Sequence, residues 1–135
     1  MVIFLDSDIV VCPEYVAEHV GSHFGSDVPI LVLGYIYGFG PRVEKDSLLR
    51  LINFEDITQS TEVLRKNRTL WDLRETVYRK VNDDLSSLPA PWRFSWGGSM
   101  SVRKRDIEKV GMFDEDFSSW GAEDIEFGYR CFKKG

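Results

Sequence analysis

The chain of 135 residues carries 22 acidic against 17 basic side chains, a net charge of -5, which argues against a nucleic-acid partner. No apolar run approaches the ~20 residues needed to cross a bilayer, and no stretch reads as a signal peptide. Cys12 and Cys131 form no CxxC pair, so neither a zinc site nor a disulfide framework is suggested and reduced, cytoplasmic thiols are expected. At this length one domain is expected, able to bury about two thirds of its unfolded surface.

Val2 to Leu5 is apolar throughout and reads as a central strand of a parallel or mixed sheet, covered on both faces. Asp6 and Asp8 follow, and Pro13 then opens a helix in which Val16, Val20 and Phe24 form one apolar stripe. His19 and His23 lie one turn apart on that helix; the spacing could bind a metal, but solvated histidines are the expectation. Val28 to Gly40 is β-branched and aromatic and reads as a second strand, closed by Gly38, Gly40 and Pro41.

Residues 41–91 read as mostly helical. Thr69 and Asp72 make a start resembling a capping box, and Leu70, Leu73, Val77, Val81 and Leu85 mark one apolar face. The stretch SSLPAP ends that helix, because proline cannot continue it. In residues 92–135, WRFSWGGSMSVRK reads as an aromatic strand with alternating Trp92, Phe94 and Trp96, a Gly97-Gly98 break and a second short strand. RDIEKVG reads as a brief helix ended by Gly111. A longer helix follows, with Ile125, Tyr129 and Phe132 on one face and Gly135 at its C-cap.

Three places carry chemistry. In extended geometry residues i and i+2 point the same way, so a strand ending at Asp6 and Asp8 would deliver two carboxylates to the carboxyl edge of the sheet. Close carboxylates repel, and a hard divalent ion shared with substrate phosphates would relieve them. Glu123 and Asp124 fall in the first turn of the last helix, where they either cap it or supply a general base. Trp120 and Gly121 stand just upstream, an aromatic able to stack on a sugar beside a residue that permits close approach. Gly97 and Gly98 mark either a bulge or a ligand pressed against the backbone.

In this order the elements resemble the GT-A glycosyltransferases, specifically the carboxyl-terminal half of family 2 enzymes and the related galactosyltransferase carboxyl-terminal domain. FLDSDIV is similar to their DxD strand, and FSWGGSMSVRKRDIEKVGMFDEDFSSWGAEDIEFGYRCFKKG is similar to their Gly-Gly strand, GxFDExF turn and WGxED helix. The likeness is strong at both ends and weak over residues 40–90.

The resemblance implies an α/β fold, the carboxyl-terminal half of a GT-A domain with a mixed sheet flanked by helices. It implies a hexosyltransferase moving a sugar from a nucleotide-sugar, a UDP-sugar, to a saccharide or glycoconjugate acceptor with inversion, as in polysaccharide synthesis. Asp6 would lie near the ribose or sugar, Asp8 would ligate Mn2+ or Mg2+ at the diphosphate, and Gly97 and Gly98 would line the donor-sugar pocket. Asp124 would take the proton of the acceptor hydroxyl, Glu123 would hydrogen-bond the acceptor, and Trp120 would form part of its surface. The family also has an upstream half holding the nucleotide and a third metal ligand, commonly histidine, beyond the last helix. Without these the isolated chain is expected to be inactive, a partial domain beginning at its DxD strand, with an exposed sheet edge able to pair with a second copy.

Two alternatives stand beside this reading. FLDSDIV also resembles the first motif of haloacid-dehalogenase-type phosphatases, with Asp6 as nucleophile and Asp8 as general acid, although that family's later lysine and acidic pair have no clear counterpart. A non-catalytic nucleotide-sugar, carbohydrate-binding or assembly module would also preserve the pattern.

Overall fold

A computed structural model describes residues 1–41, 43–119 and 121–134. Three short strands, β1 (Val2–Leu5), β2 (Leu31–Leu33) and β3 (Ser99–Val102), form one sheet in the order β1-β3-β2. Both pairings are antiparallel, with Phe4 opposite Met100 and Leu33 opposite Met100 on the other side. Around them lie α1 (Tyr15–Phe24), α2 (Lys45–Leu49), α3 (Ile57–Lys66), α4 (Glu75–Val81), α5 (Lys104–Val110) and α6 (Glu123–Lys134). This three-stranded sheet flanked by helices is consistent with a partial GT-A fold.

The central strand is β3, all four of whose residues are buried, while β1 pairs on one side only among the described residues. β1 is therefore an edge strand of this sheet and not the central strand that its apolar run suggests. Val2 and Phe4 pack with Met100, Val102, Ile107 and Phe127. Phe4, Phe113 and Phe127 meet edge-on or tilted at centroid distances of 5.0 to 5.9 Å, so the aromatic of the FDEDF turn is part of the core.

The opposite face of β3 presents Ser99 and Ser101, and this polar surface decides how α1 is oriented. The hydroxyl of Tyr15 lies 2.8 Å from Ser99 Oγ, while His19 Nδ1 and His23 Nε2 lie 2.7 and 2.9 Å from Ser101 Oγ. Both histidines are buried, at 4% and 7% exposure, whereas Val16 and Phe24 are 55% and 87% exposed. Two of the three residues of the expected apolar stripe thus face outward, Val20 being half-buried, and the histidines are not solvated. Apolar periodicity cannot register that the facing strand offers hydroxyls.

Elsewhere the local readings shorten. The second strand is only Leu31–Leu33. The helix expected from Thr69 begins instead at Glu75, after a 3-10 turn over Arg68–Leu70, because the Asn67 side chain accepts from Thr69 N and Asp72 is turned inward. Pro91–Phe94 is a 3-10 turn rather than an aromatic strand. Ser95 Oγ donates to Trp92 O at 2.6 Å, closing the turn, and Trp92 packs on Tyr129 and Phe132 of α6. The innermost residues of α6 are Phe127 and Gly128, not the expected Ile125, Tyr129 and Phe132 face. The brief helix ended by Gly111, with φ of 84°, is α5 as expected. Gly135 lies outside the described residues.

Candidate active site

The end of β1 leads into the site through its pairing with β3. Asp6 N donates to Gly98 O at 3.0 Å, one step beyond the Leu5-Ser99 pair, so the ladder carries Asp6 alongside the glycine pair. Ile9 N then donates to Asp6 O at 3.2 Å, making Ser7 and Asp8 the middle of a tight turn. The two carboxylates therefore do not leave a strand on a common face, as strict alternation predicts; one belongs to the strand's extension and the other to the turn. Both residues are exposed.

On the other side of the glycines stands the start of α6. Asp124 Oδ2 accepts the N–H of Gly97 at 2.8 Å, and Oδ1 accepts the N–H of Ile125 at 2.7 Å. Its backbone carbonyl accepts Ser95 Oγ at 3.0 Å. Asp124 thus does more than cap a helix: it ties α6 to the glycine-bearing strand and keeps lone pairs on both oxygens free for a further donor.

The lack of side chains at Gly97 and Gly98 is what lets these parts converge. A Cβ on Gly98 would come within 3.2 Å of Asp6 Oδ2 and 3.1 Å of Ile36 Cδ1, whereas one on Gly97 would sit 3.5 Å from Asp124 Cβ. Gly98 is therefore wedged between Asp6 and Ile36, and Gly97 faces Asp124 across ordinary contact distance.

Glu123 Oε2 is buried and has no hydrogen-bond partner among the described residues. A buried, unpartnered carboxylate oxygen is costly and is the kind of acceptor that a ligand hydroxyl satisfies. The chain reaches it through Gly121 and Ala122, whose φ values of 106° and 73° place both in the left-handed region. For an alanine this is a strained conformation, sited next to the two acids. Trp120 lies outside the described residues.

Asp6 and Asp8 offer hard oxygen donors of the type Mn2+ or Mg2+ takes, and such ions commonly use one or two carboxylates together with substrate phosphates. The exposed turn fits that mode. Among the described residues no group of three or more His, Cys, Asp or Glu is placed to hold a metal, and His19 and His23 are engaged by Ser101 instead. Cys131 is no nucleophile in this setting, since burial pushes its thiol up to about 11, and both cysteines are unpaired.

The sequence reading missed the support beneath the site. Asp72 and Arg74 form an ion pair at 2.7 Å with both side chains 1% exposed, and it touches the segments carrying Ile36 and Trp96. Two charges at i and i+2 would diverge on the helix expected there, so periodicity concealed the pair.

Comparison with known proteins points to one class of enzyme. A family model described as the N-terminal domain of galactosyltransferase matches residues 79–135, the stretch holding β3, α5 and α6. The chain is 37% identical over 134 residues to a validoxylamine A glucosyltransferase of Streptomyces hygroscopicus subsp. jinggangensis, covering 98% of this chain and 31% of that protein. It is 46% identical over 56 residues to a chondroitin synthase of Pasteurella multocida, covering 42% of this chain and 6% of that one. A hyaluronan synthase of the same species is 43% identical over 53 residues, 39% of this chain and 6% of the synthase. The chain thus spans under a third of the length of the glucosyltransferase it matches nearly end to end. The family model, with relatives of this kind at both the whole-chain and the motif level, supports membership of the GT-A glycosyltransferases of family 2.

Proposed function

We propose that this chain carries the acceptor-side, catalytic part of an inverting glycosyltransferase that uses a nucleotide-sugar, a UDP-sugar, and a saccharide or glycoconjugate acceptor. The observation that carries the reading is the convergence of two carboxylates on bare backbone: Asp124 Oδ2 on the Gly97 N–H at 2.8 Å, and Asp6 Oδ2 against Gly98. The names of the relatives, a glucosyltransferase and two glycan synthases, support the same class of chemistry.

In this reading Gly97 and Gly98 leave room for the donor sugar, with Asp6 beside the sugar or ribose. Asp124 accepts the proton of an acceptor hydroxyl as its oxygen attacks the anomeric carbon. A new carbon–oxygen bond forms on one face, the bond to the diphosphate breaks on the other, and the nucleoside diphosphate leaves with that electron pair. Glu123 Oε2, buried and without a partner among the described residues, accepts a second acceptor hydroxyl, and Trp120 contributes to the acceptor surface. Asp8 would hold Mn2+ or Mg2+, which would supply positive charge to offset that of the leaving diphosphate.

No helix of the described residues is long and apolar enough to cross a membrane, and the reading includes a cytoplasmic location, in keeping with the unpaired cysteines. Among the described residues the outer edge of β1 is unpaired, and the reading includes pairing of that edge with a second copy.

Thermal shift with UDP and UDP-sugars, with and without Mn2+, followed by UDP release in the presence of saccharide acceptors, tests the assignment. Stabilisation that needs both nucleotide and metal is expected. Silence to both, or capture of a phosphate analogue on Asp6, overturns it, the latter in favour of a phosphatase.

A further inference from the structure

The Asp72-Arg74 pair beneath the site is bonded to two chain segments that flank the glycine pair, one around Gly34 and one around Phe94. Arg74 Nε and Nη2 donate to Asp72 Oδ1 and Oδ2 at 2.9 and 2.7 Å. The same guanidinium donates to Gly34 O at 2.9 Å and to Phe94 O at 3.1 Å. Asp72 Oδ2 in turn accepts Ile36 N at 2.9 Å. The guanidinium also lies over two rings, 5.1 Å from the Trp96 centroid and 5.3 Å from that of Tyr78.

These contacts have a common destination. Gly34 and Ile36 belong to the wall whose Ile36 Cδ1 limits the space at Gly98, and Trp96 immediately precedes Gly97. A buried ion pair is a poor choice for stability alone, since well-packed apolar residues of similar volume often serve as well or better. What it adds is direction: a planar fork with fixed hydrogen-bond vectors, here spent on both walls of one site.

We infer that Asp72 and Arg74 are positioning residues for sugar transfer. Together with the Gly34 N–H bond to Ser99 O at 2.8 Å, the pair sets the spacing between the 34–36 wall and the 94–97 wall, and through it the aim of the Gly97 N–H at Asp124 and the fit of Gly98 against Asp6. This rests on the reading in which Asp124 takes the acceptor's proton. Neither residue touches substrate; each acts through backbone that does.

The test uses the whole protein, 15N-labelled, with Arg74→Lys and Arg74→Met. Lysine keeps a charge beside Asp72 but loses the planar fork. The expected result is that the Gly97 amide proton moves upfield and exchanges about tenfold faster in both variants, while Met100 and Ser101 amides in β3 keep their protection. In acceptor-dependent UDP release, Arg74→Lys lowers kcat about tenfold with donor KM changed less than about twofold. An unchanged Gly97 amide in a folded Arg74→Lys protein overturns the inference, as does loss of protection at all amides together in both variants, which would make the pair a stability element only. If the unaltered protein transfers no sugar, the functional reading fails, yet the Gly97 signal still decides whether the pair aims that amide.

Discussion

The backbone N–H of Gly97 donates to Asp124 Oδ2 across 2.8 Å, joining the glycine-bearing strand to the first turn of the last helix. Asparagine at position 124 preserves side-chain shape and an oxygen for that bond but removes the basic carboxylate. Asp124→Asn in the full-length protein is expected to lower sugar transfer about 10²- to 10⁴-fold, with UDP binding within about twofold of the original. Parallel loss of binding and transfer would assign Asp124 a purely structural role.

The two glycines differ in the room around them, so their alanine variants separate. Gly98→Ala places a methyl 3.1 Å from Ile36 Cδ1 and 3.2 Å from Asp6 Oδ2, which must give way, whereas Gly97→Ala meets Asp124 Cβ at 3.5 Å. Calorimetric titration with UDP-sugar is expected to show donor affinity about tenfold weaker for Gly98→Ala and less than about threefold weaker for Gly97→Ala. Equal losses would show that the crowding at Gly98 has no bearing on the donor.

Asp8 sits in the exposed turn after β1, where it holds no structural hydrogen bond among those found in the described residues. Asp8→Ala is therefore expected to leave the melting temperature of the unliganded protein within about 2 °C, in line with surface substitutions of about 0.5 kcal/mol or less. The additional stabilisation by UDP that depends on Mn2+ should disappear. Metal-dependent stabilisation that survives would remove Asp8 from the metal site.

His19 and His23 make stability depend on pH. Burial lowers the pKa of both below the ordinary 6.5, and for His23 the nearby Arg103, His19 and the terminal amine lower it further. Protons are therefore bound more readily by the unfolded chain, so stability rises with pH through this range. Their contribution is complete above about pH 6.5 and is lost as the pH falls toward the folded-state values. Each kcal/mol lost lowers the melting temperature by about 2 to 8 °C for domains near this size. Thermal unfolding between pH 7.5 and 5 measures it, and a midpoint indifferent to pH over that range refutes the buried arrangement around Ser101.

Some of this was legible in the linear chain because it depends on local chemistry. Gly111 ends α5 because its φ of 84° suits glycine, and the acids of α6 fall in its first turn. The motifs at each end of the chain are short enough for spacing alone to expose them. Other elements were misread where a distant partner overruled the local pattern. Ser101 turned the polar side of α1 inward, and Ser95 folded Trp92 and Phe94 into a turn that closes on α6.

By itself, the sequence marked the groups proposed to carry the chemistry: two acids after an apolar strand, two glycines before another, and two acids opening a helix. Tertiary structure alone decided which of them meet. Asp6 and Asp124 reach the same glycine pair because β1 runs antiparallel to β3 and α6 docks through Ser95, while Asp8 is diverted into a turn. The Asp72-Arg74 pair was beyond reach for the same reason. Hydrogen bonds to Gly34 and Phe94 span 40 and 20 residues, and no local periodicity records a contact whose partner is that far away.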